Sequence, residues 1–293
     1  MFFIRLLSRL PLSVLYAISD FLFVVSYYIV RYRRPLVWKN LRNSFPEKPE
    51  QELRKIEKDF FRNLCDYAVE MLKLFTISKQ ELSQRVVFKN SEIAVDYAQK
   101  QQPILILASH QFNWEWMLTA ACGQLPMPVD FVYQPVNNKF FDDLSRVNRT
   151  RFGAYAIKRD QVARESIRRK NLLRAVAIIA DQYPGHARDK RYMTNFLHQD
   201  TAFFYGSNQL AVLLQYPVVY YAMKKIRRGY YEATAIRIAD PPYAPDSNVM
   251  IEGYVRAVER TIKENPSGWL WSHNRWKKKH LRKGVAKEGG ILP

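Results

Sequence analysis

Two cysteines in 293 residues, Cys65 and Cys122, are too few for a disulfide framework or a zinc ribbon. Each reads as a small buried hydrophobe. No second His or Cys stands at ligand spacing from a histidine, so neither a metal nor a cofactor is expected. The RNP, KH-type GXXG and zinc-knuckle patterns are missing, which argues against nucleic acid as a partner. No repeat or low-complexity linker divides the chain after residue 50. No small-residue cleavage site follows the apolar N-terminal stretch, so a removable secretory leader is not expected. Acids are scarce too: 27 Asp+Glu face 46 Lys+Arg, a net charge of +19.

The remaining composition is that of a folded protein, with 48% hydrophobic and 14% aromatic residues. The positive charge is concentrated. Residues 1–42, 146–174 and 271–293 net +6, +8 and +6, so the rest of the chain is close to neutral. Three basic zones on a neutral globule point to anionic partners met at defined places.

Residues 10–30 carry one charge, Asp20, and would span about 31 Å as a helix. Arg5 and Arg9 precede this stretch, whereas Arg31, Arg33, Arg34, Lys39 and Arg42 follow it. The heavier positive flank lies after the helix, which predicts a cytoplasmic main body. A mid-bilayer Asp20 would cost about 3 kcal/mol. Ser13, Tyr16, Asp20 and Tyr27 share a helical face, so a spanning helix and one lying in the interface both stand. A buried core helix is the plainer alternative. The expected division is a membrane anchor with its basic flank over 1–45, then a single α/β domain over 46–293 with a basic tail.

Leu53, Ile56, Phe60, Leu64, Tyr67, Met71 and Leu74 recur every three or four residues and predict a helix over 50–75. Short apolar runs at 104–108, 129–133, 154–157, 175–180 and 217–222 predict buried strands with helices between most of them. Arg227-Arg228-Gly229 predicts a hairpin turn into a strand over 230–238, and a last helix is expected over 249–263. The fold class is α/β with a mostly parallel central sheet.

His110 directly follows the 104–108 strand, at the sheet edge where open α/β folds bind ligands. Glu115, five residues on, begins the next helix and is expected to reach back to one imidazole nitrogen, leaving the other to take a proton. That spacing alone also suits a hydrogen-bonded structural histidine.

His110-x-x-Asn113-Trp114-Glu115 behind an apolar N-terminal helix resembles the lauroyl- and myristoyl-type lipid A biosynthesis acyltransferases, relatives of the glycerolipid acyltransferase fold with its His-x4-acid signature. Tyr32 to Pro46, Arg149-x-Arg151, Asp181-Gln182 and Trp269 to Lys277 look like further family motifs in family order. The resemblance implies acyl transfer from an acyl carrier protein thioester to a hydroxyl of a lipid A precursor at the cytoplasmic face of the inner membrane. His110 would be general base and Glu115 its orienting partner. Asn113, Arg149, Arg151 and Asp181 would contact substrate, with Arg149, Arg151 or a backbone N–H near Asn113 as oxyanion donor. Cys122, inside the helix after the motif, is a poor nucleophile. A related enzyme acting on an aminolipid, glycolipid or lysophospholipid is the alternative, and a non-catalytic protein at the membrane surface is a third reading.

The chain departs from the family at Gln111-Phe112, where an aromatic and a glycine are usual; Phe at 112 predicts an ordinary backbone there. Tyr205 is an extra residue in the Phe203-Phe204-Tyr205-Gly206 loop. Trp269, Trp271 and Trp276 suit either a membrane-interface belt, with Lys277, Lys278 and Lys279 on anionic lipid phosphates, or the core. The run 167–174 reads as a solvated helix face.

Overall fold

A computed structural model of the chain describes residues 2–135, 138–186, 189–277 and 290–292. The apolar runs form the sheet they predict. Its strands are β1 (Val86–Lys89), β2 (Ile104–Ala108), β3 (Val129–Tyr133), β4 (Tyr155–Lys158), β5 (Ala175–Ile179), β8 (Val218–Arg227) and β9 (Tyr230–Ala239), in the order β1-β9-β8-β2-β5-β3-β4. A second sheet, β10-β6-β7, joins β6 (Arg191–Phe196), β7 (Gln199–Phe204) and β10 (Ile291–Leu292). In the large sheet only the β8–β9 hairpin pairs antiparallel. β2 is buried at every residue, parallel to β5 on one side and β8 on the other. A strand covered on both faces needs apolar side chains throughout, hence the unbroken run Ile-Leu-Ile-Leu-Ala.

The helices are α1 (Phe2–Ser8), α2 (Leu12–Val24), α3 (Arg34–Ser44), α4 (Glu50–Lys73), α5 (Lys79–Arg85), α6 (Glu92–Gln99), α7 (Trp114–Gln124), α8 (Lys139–Thr150), α9 (Val162–Arg168), α10 (Gly206–Leu214) and α11 (Val249–Glu264). Alternation along β2 divides the core. Leu105 and Leu107 pack with α11 and α4, and Ile106 and Ala108 with Trp116 and Met117 of α7.

α2 runs on through a π-helical turn, Val25–Ile29, giving an 18-residue apolar helical stretch long enough to cross a membrane. Yet it lies along α4 and is tied to it by polar bonds. Ser19 donates to Asp66 at 2.8 Å, Tyr16 to Glu70 at 2.8 Å and Tyr27 to Glu57 at 3.3 Å. Asp20 pairs with Arg228 at 2.8 Å. Gly229 of the β8–β9 turn has φ +73°, and a Cβ there would fall 2.2 Å from the Tyr16 hydroxyl, so this turn admits α2 only as glycine. The opposite face of α2 exposes Val14, Ile18, Phe21 and Leu22.

Among the basic and aromatic segments, one open alternative is decided and one reading changes. Trp269 and Trp271 are core residues, and the indole N–H of Trp276 donates to Thr201 Oγ1 at 2.7 Å; Lys278 and Lys279 lie outside the described residues. The 167–174 run is not simply solvated, because Arg169 and Arg174 both bond the buried Asp130 carboxylate. A buried carboxylate needs such partners, and Asp130 lies on a sheet strand where no water reaches it.

Candidate active site

Five residues, Ser109 to Asn113, connect β2 to α7. Asn113 ends the turn as the α7 cap: its Oδ1 accepts from the Trp116 N–H at 2.9 Å, and its Nδ2 donates to Glu70 at 2.7 Å. Glu70 is fully buried without a cationic partner among the described residues, and burial raises its carboxyl pKa despite hydrogen bonds from Asn113, Tyr231 and Tyr16. Phe112 does not take the ordinary backbone expected of it. Its φ is +46°, a left-handed conformation that costs a non-glycine residue roughly 1–2 kcal/mol. The turn is held there by its neighbours. The Phe112 N–H donates to the Gly268 carbonyl at 2.8 Å, the Leu270 N–H to the His110 carbonyl at 3.1 Å, and Gln111 bridges Trp269. A Cβ at Gly268 would fall 2.4 Å from the Phe112 ring, so the large residue in the turn is matched by a glycine opposite.

This conformation turns His110 toward β5, not toward Glu115. The ring Nδ1 lies 2.5 Å from Asp181 Oδ1, just past the end of that neighbouring parallel strand. The other oxygen, Oδ2, accepts from the His110 backbone N–H at 2.9 Å and from Trp269 Nε1 at 2.7 Å. Burial works to raise the Asp181 carboxyl, but the His110 imidazole and these three hydrogen bonds hold it below the usual carboxylate range. Asp181 is therefore an anion with every contact aimed at positioning one histidine. The His110 Nε2 has no hydrogen-bond partner among the described residues.

Glu115 bonds elsewhere. Its Oε2 accepts from Arg149 Nε at 2.7 Å, and its Oε1 accepts from Arg149 Nη2 and, at 3.2 Å, from Trp114 Nε1. This two-point pair keeps Arg149, at the end of α8, charged: burial opposes the charge, and Glu115 more than compensates. Arg149 Nη1 keeps its donors uncommitted among the described residues. His110, Glu115 and Arg149 all line one cavity of about 410 Å³ between α7 and the sheet. Ile106, Leu118, Ala121, Leu125, Val129 and Phe131 are part of its apolar wall, and it follows α7 for about 16 Å. A long apolar slot ending in a histidine, a carboxylate and a guanidinium suits a chain with one reactive polar end.

The bacterial lipid A biosynthesis acyltransferase family matches residues 1–278. The chain belongs to that family. It is thus an acyltransferase of lipid A biosynthesis. No curated protein gives a significant match.

The structure redistributes the residues that the acyltransferase motifs single out. His110, Glu115 and Arg149 meet at the cavity. Asp181 stands directly behind His110. Asn113 and Arg151 do not face the cavity: Asn113 is a buried helix cap, and Arg151 Nη1 donates to the carbonyls of Leu74 and Ile77 beyond α4. Trp269 is the one direct support of Asp181 that motif spacing did not single out for that role; only the tertiary pairing of Gln111 with Trp269 reveals it. Among the described residues no group of three or more His, Cys, Asp or Glu is placed to hold a metal.

His273, beside this candidate site, carries a pH dependence. Burial, followed by the Arg275 cation, pushes its imidazole down from 6.5 to about 4. Its Nε2 accepts from the Tyr183 backbone N–H at 3.3 Å, so the fold requires the neutral ring. The unfolded chain binds this proton near pH 6.5 and the folded chain only near 4, so stability falls as pH drops through that window. His273→Gln keeps an acceptor without the titration. Denaturant unfolding of this variant between pH 6.5 and 4 is expected to show a shallower loss than the parent; an equal slope would assign the acid loss to other groups.

Proposed function

We propose that the protein transfers an acyl chain from an acyl carrier protein thioester to a hydroxyl of a lipid A precursor. One observation carries this reading: a mostly apolar cavity whose polar end holds the uncommitted Nε2 of an aspartate-backed histidine. The donor chain fills the cavity with its thioester carbonyl at His110. Asp181 holds the Nδ1–H tautomer, so Nε2 takes the proton of the acceptor hydroxyl as its oxygen attacks the carbonyl carbon. The tetrahedral oxyanion is met by Arg149 Nη1, with Glu115 fixing the guanidinium. Collapse breaks the carbon–sulfur bond, and the imidazolium returns its proton to the leaving thiolate. The products are an ester and a free thiol, without an acyl-enzyme. The Cys122 thiol is unsuited to attack, since burial raises it to about 11.

The exposed apolar face of α2 supports attachment in the plane of the inner membrane, with its opposite face held on α4 and the exposed Arg31 and Arg33 near anionic headgroups. Helix and catalytic unit then move as one body, the catalytic unit on the cytoplasmic side.

The test is direct. Purified protein incubated with acyl carrier protein thioesters and a lipid A precursor is expected to yield the precursor heavier by one acyl group, and His110→Ala to yield none. Ala121→Phe, which intrudes on the cavity wall, is expected to shift preference toward shorter donor chains. Intact transfer by His110→Ala would refute the mechanism. A mass gain confined to another lipid would move the acceptor to a different class.

A further inference from the structure

We propose that a second cavity holds an acyl chain already present on the acceptor, with an acceptor phosphate at its basic mouth. This deepens the reading above and rests on it. The cavity measures about 430 Å³ and lies against α9 and α10, walled by Val132, Val162, Ile178, Phe204, Leu210 and Leu213. It shares Val132, Gln134, Ile178 and Ile179 with the donor cavity, so the two lie on either side of one layer of side chains. Their volumes are nearly equal, which suits chains of similar size in each.

Gln134, Arg159, Phe204 and Gln209 continue from this cavity into a polar cleft of about 640 Å³ that also carries Lys158, His186 and Lys190. Arg159 is fixed there by an ion pair with Asp189 and by the Phe204 ring, 4.3 Å from its guanidinium carbon. Lys158 and Lys190 have no ion-pair partner among the described residues. Elsewhere in this basic zone several guanidiniums are held by protein groups: Arg149 by Glu115, Arg151 by carbonyls, Arg169 and Arg174 by Asp130. Lys158 and Lys190 thus stand, with Asp160, in the cleft into which the apolar cavity opens. Apolar depth beneath spare positive charge is complementary to a phosphorylated, acylated lipid. The amide-rich arm of a carrier protein would leave its polar groups unpaired along the same wall.

Ala163 is exposed at the rim of this cavity, so Ala163→Trp fills it without disturbing the core. With the full-length protein, a lipid A precursor and an acyl carrier protein thioester, this variant is expected to raise the acceptor KM by about tenfold or more. The donor KM, and the slow hydrolysis of donor by water without acceptor, are expected to stay at the parent values. Lys158→Ala with Lys190→Ala is expected to raise the KM for the phosphorylated acceptor and leave that for its dephosphorylated form unchanged. An unchanged acceptor KM in Ala163→Trp refutes the site. A raised donor KM in its place assigns the cavity to the carrier-protein arm. Absence of transfer by the parent protein would instead overturn the function on which the site rests, so the failures are distinguishable.

Discussion

Asp181→Asn is expected to lower kcat for acyl transfer by roughly four orders of magnitude with little change in either KM. The carboxylate accepts three hydrogen bonds, one from the His110 ring and two from the His110 and Trp269 N–H groups. An asparagine has one oxygen for these positions. Turning its NH2 toward the two N–H donors would oppose two donor pairs; turning it toward the ring opposes none, provided His110 carries its proton on Nε2. The second arrangement costs less and gives the wrong tautomer, with the proton on the nitrogen that should accept one. Fold and substrate binding survive while the base is disabled. A loss below about tenfold would remove Asp181 from the chemistry, and circular dichroism of the variant separates that result from misfolding.

Glu115→Ala and Arg149→Ala are expected to lower kcat by similar factors of about 10² to 10³, and the double variant to be no worse than either single one. Both follow from one geometry: Glu115 spends both oxygens on Arg149 and has no bond to the imidazole. Without Glu115 the guanidinium loses both its position and the carboxylate that offsets its burial, and without Arg149 the oxyanion loses its donor. Additive losses would return Glu115 to the histidine.

The strands that shape the site were readable because burial on both faces leaves an unbroken apolar signature: β2 and β3 form at the bounds predicted for them, and β5 ends one residue early. β6 and β7 mix Arg, Thr, Asn, Gln and Asp with aromatics in a small antiparallel sheet, and β1 spans only four residues, so periodicity had little to register. The partner of His110 was unreadable for another reason. A carboxylate five residues away is close along the chain, but the left-handed Phe112 directs the ring to a carboxylate 71 residues away. Both acids were visible as candidates. Which one touches the histidine depends on a turn that a phenylalanine would not be expected to adopt, and on a glycine 156 positions further along that makes room for its ring.

The bond from Trp269 to Asp181 also orders events in time. A chain leaves the ribosome from its N-terminus, so α2 emerges early, whereas the indole that seats the Asp181 carboxylate comes long after it. Until that last segment folds back against Gln111 and Phe112, His110 and Asp181 have no rigid frame. The nascent protein would therefore stay inert until Trp269 has been made and has folded back onto the turn after β2.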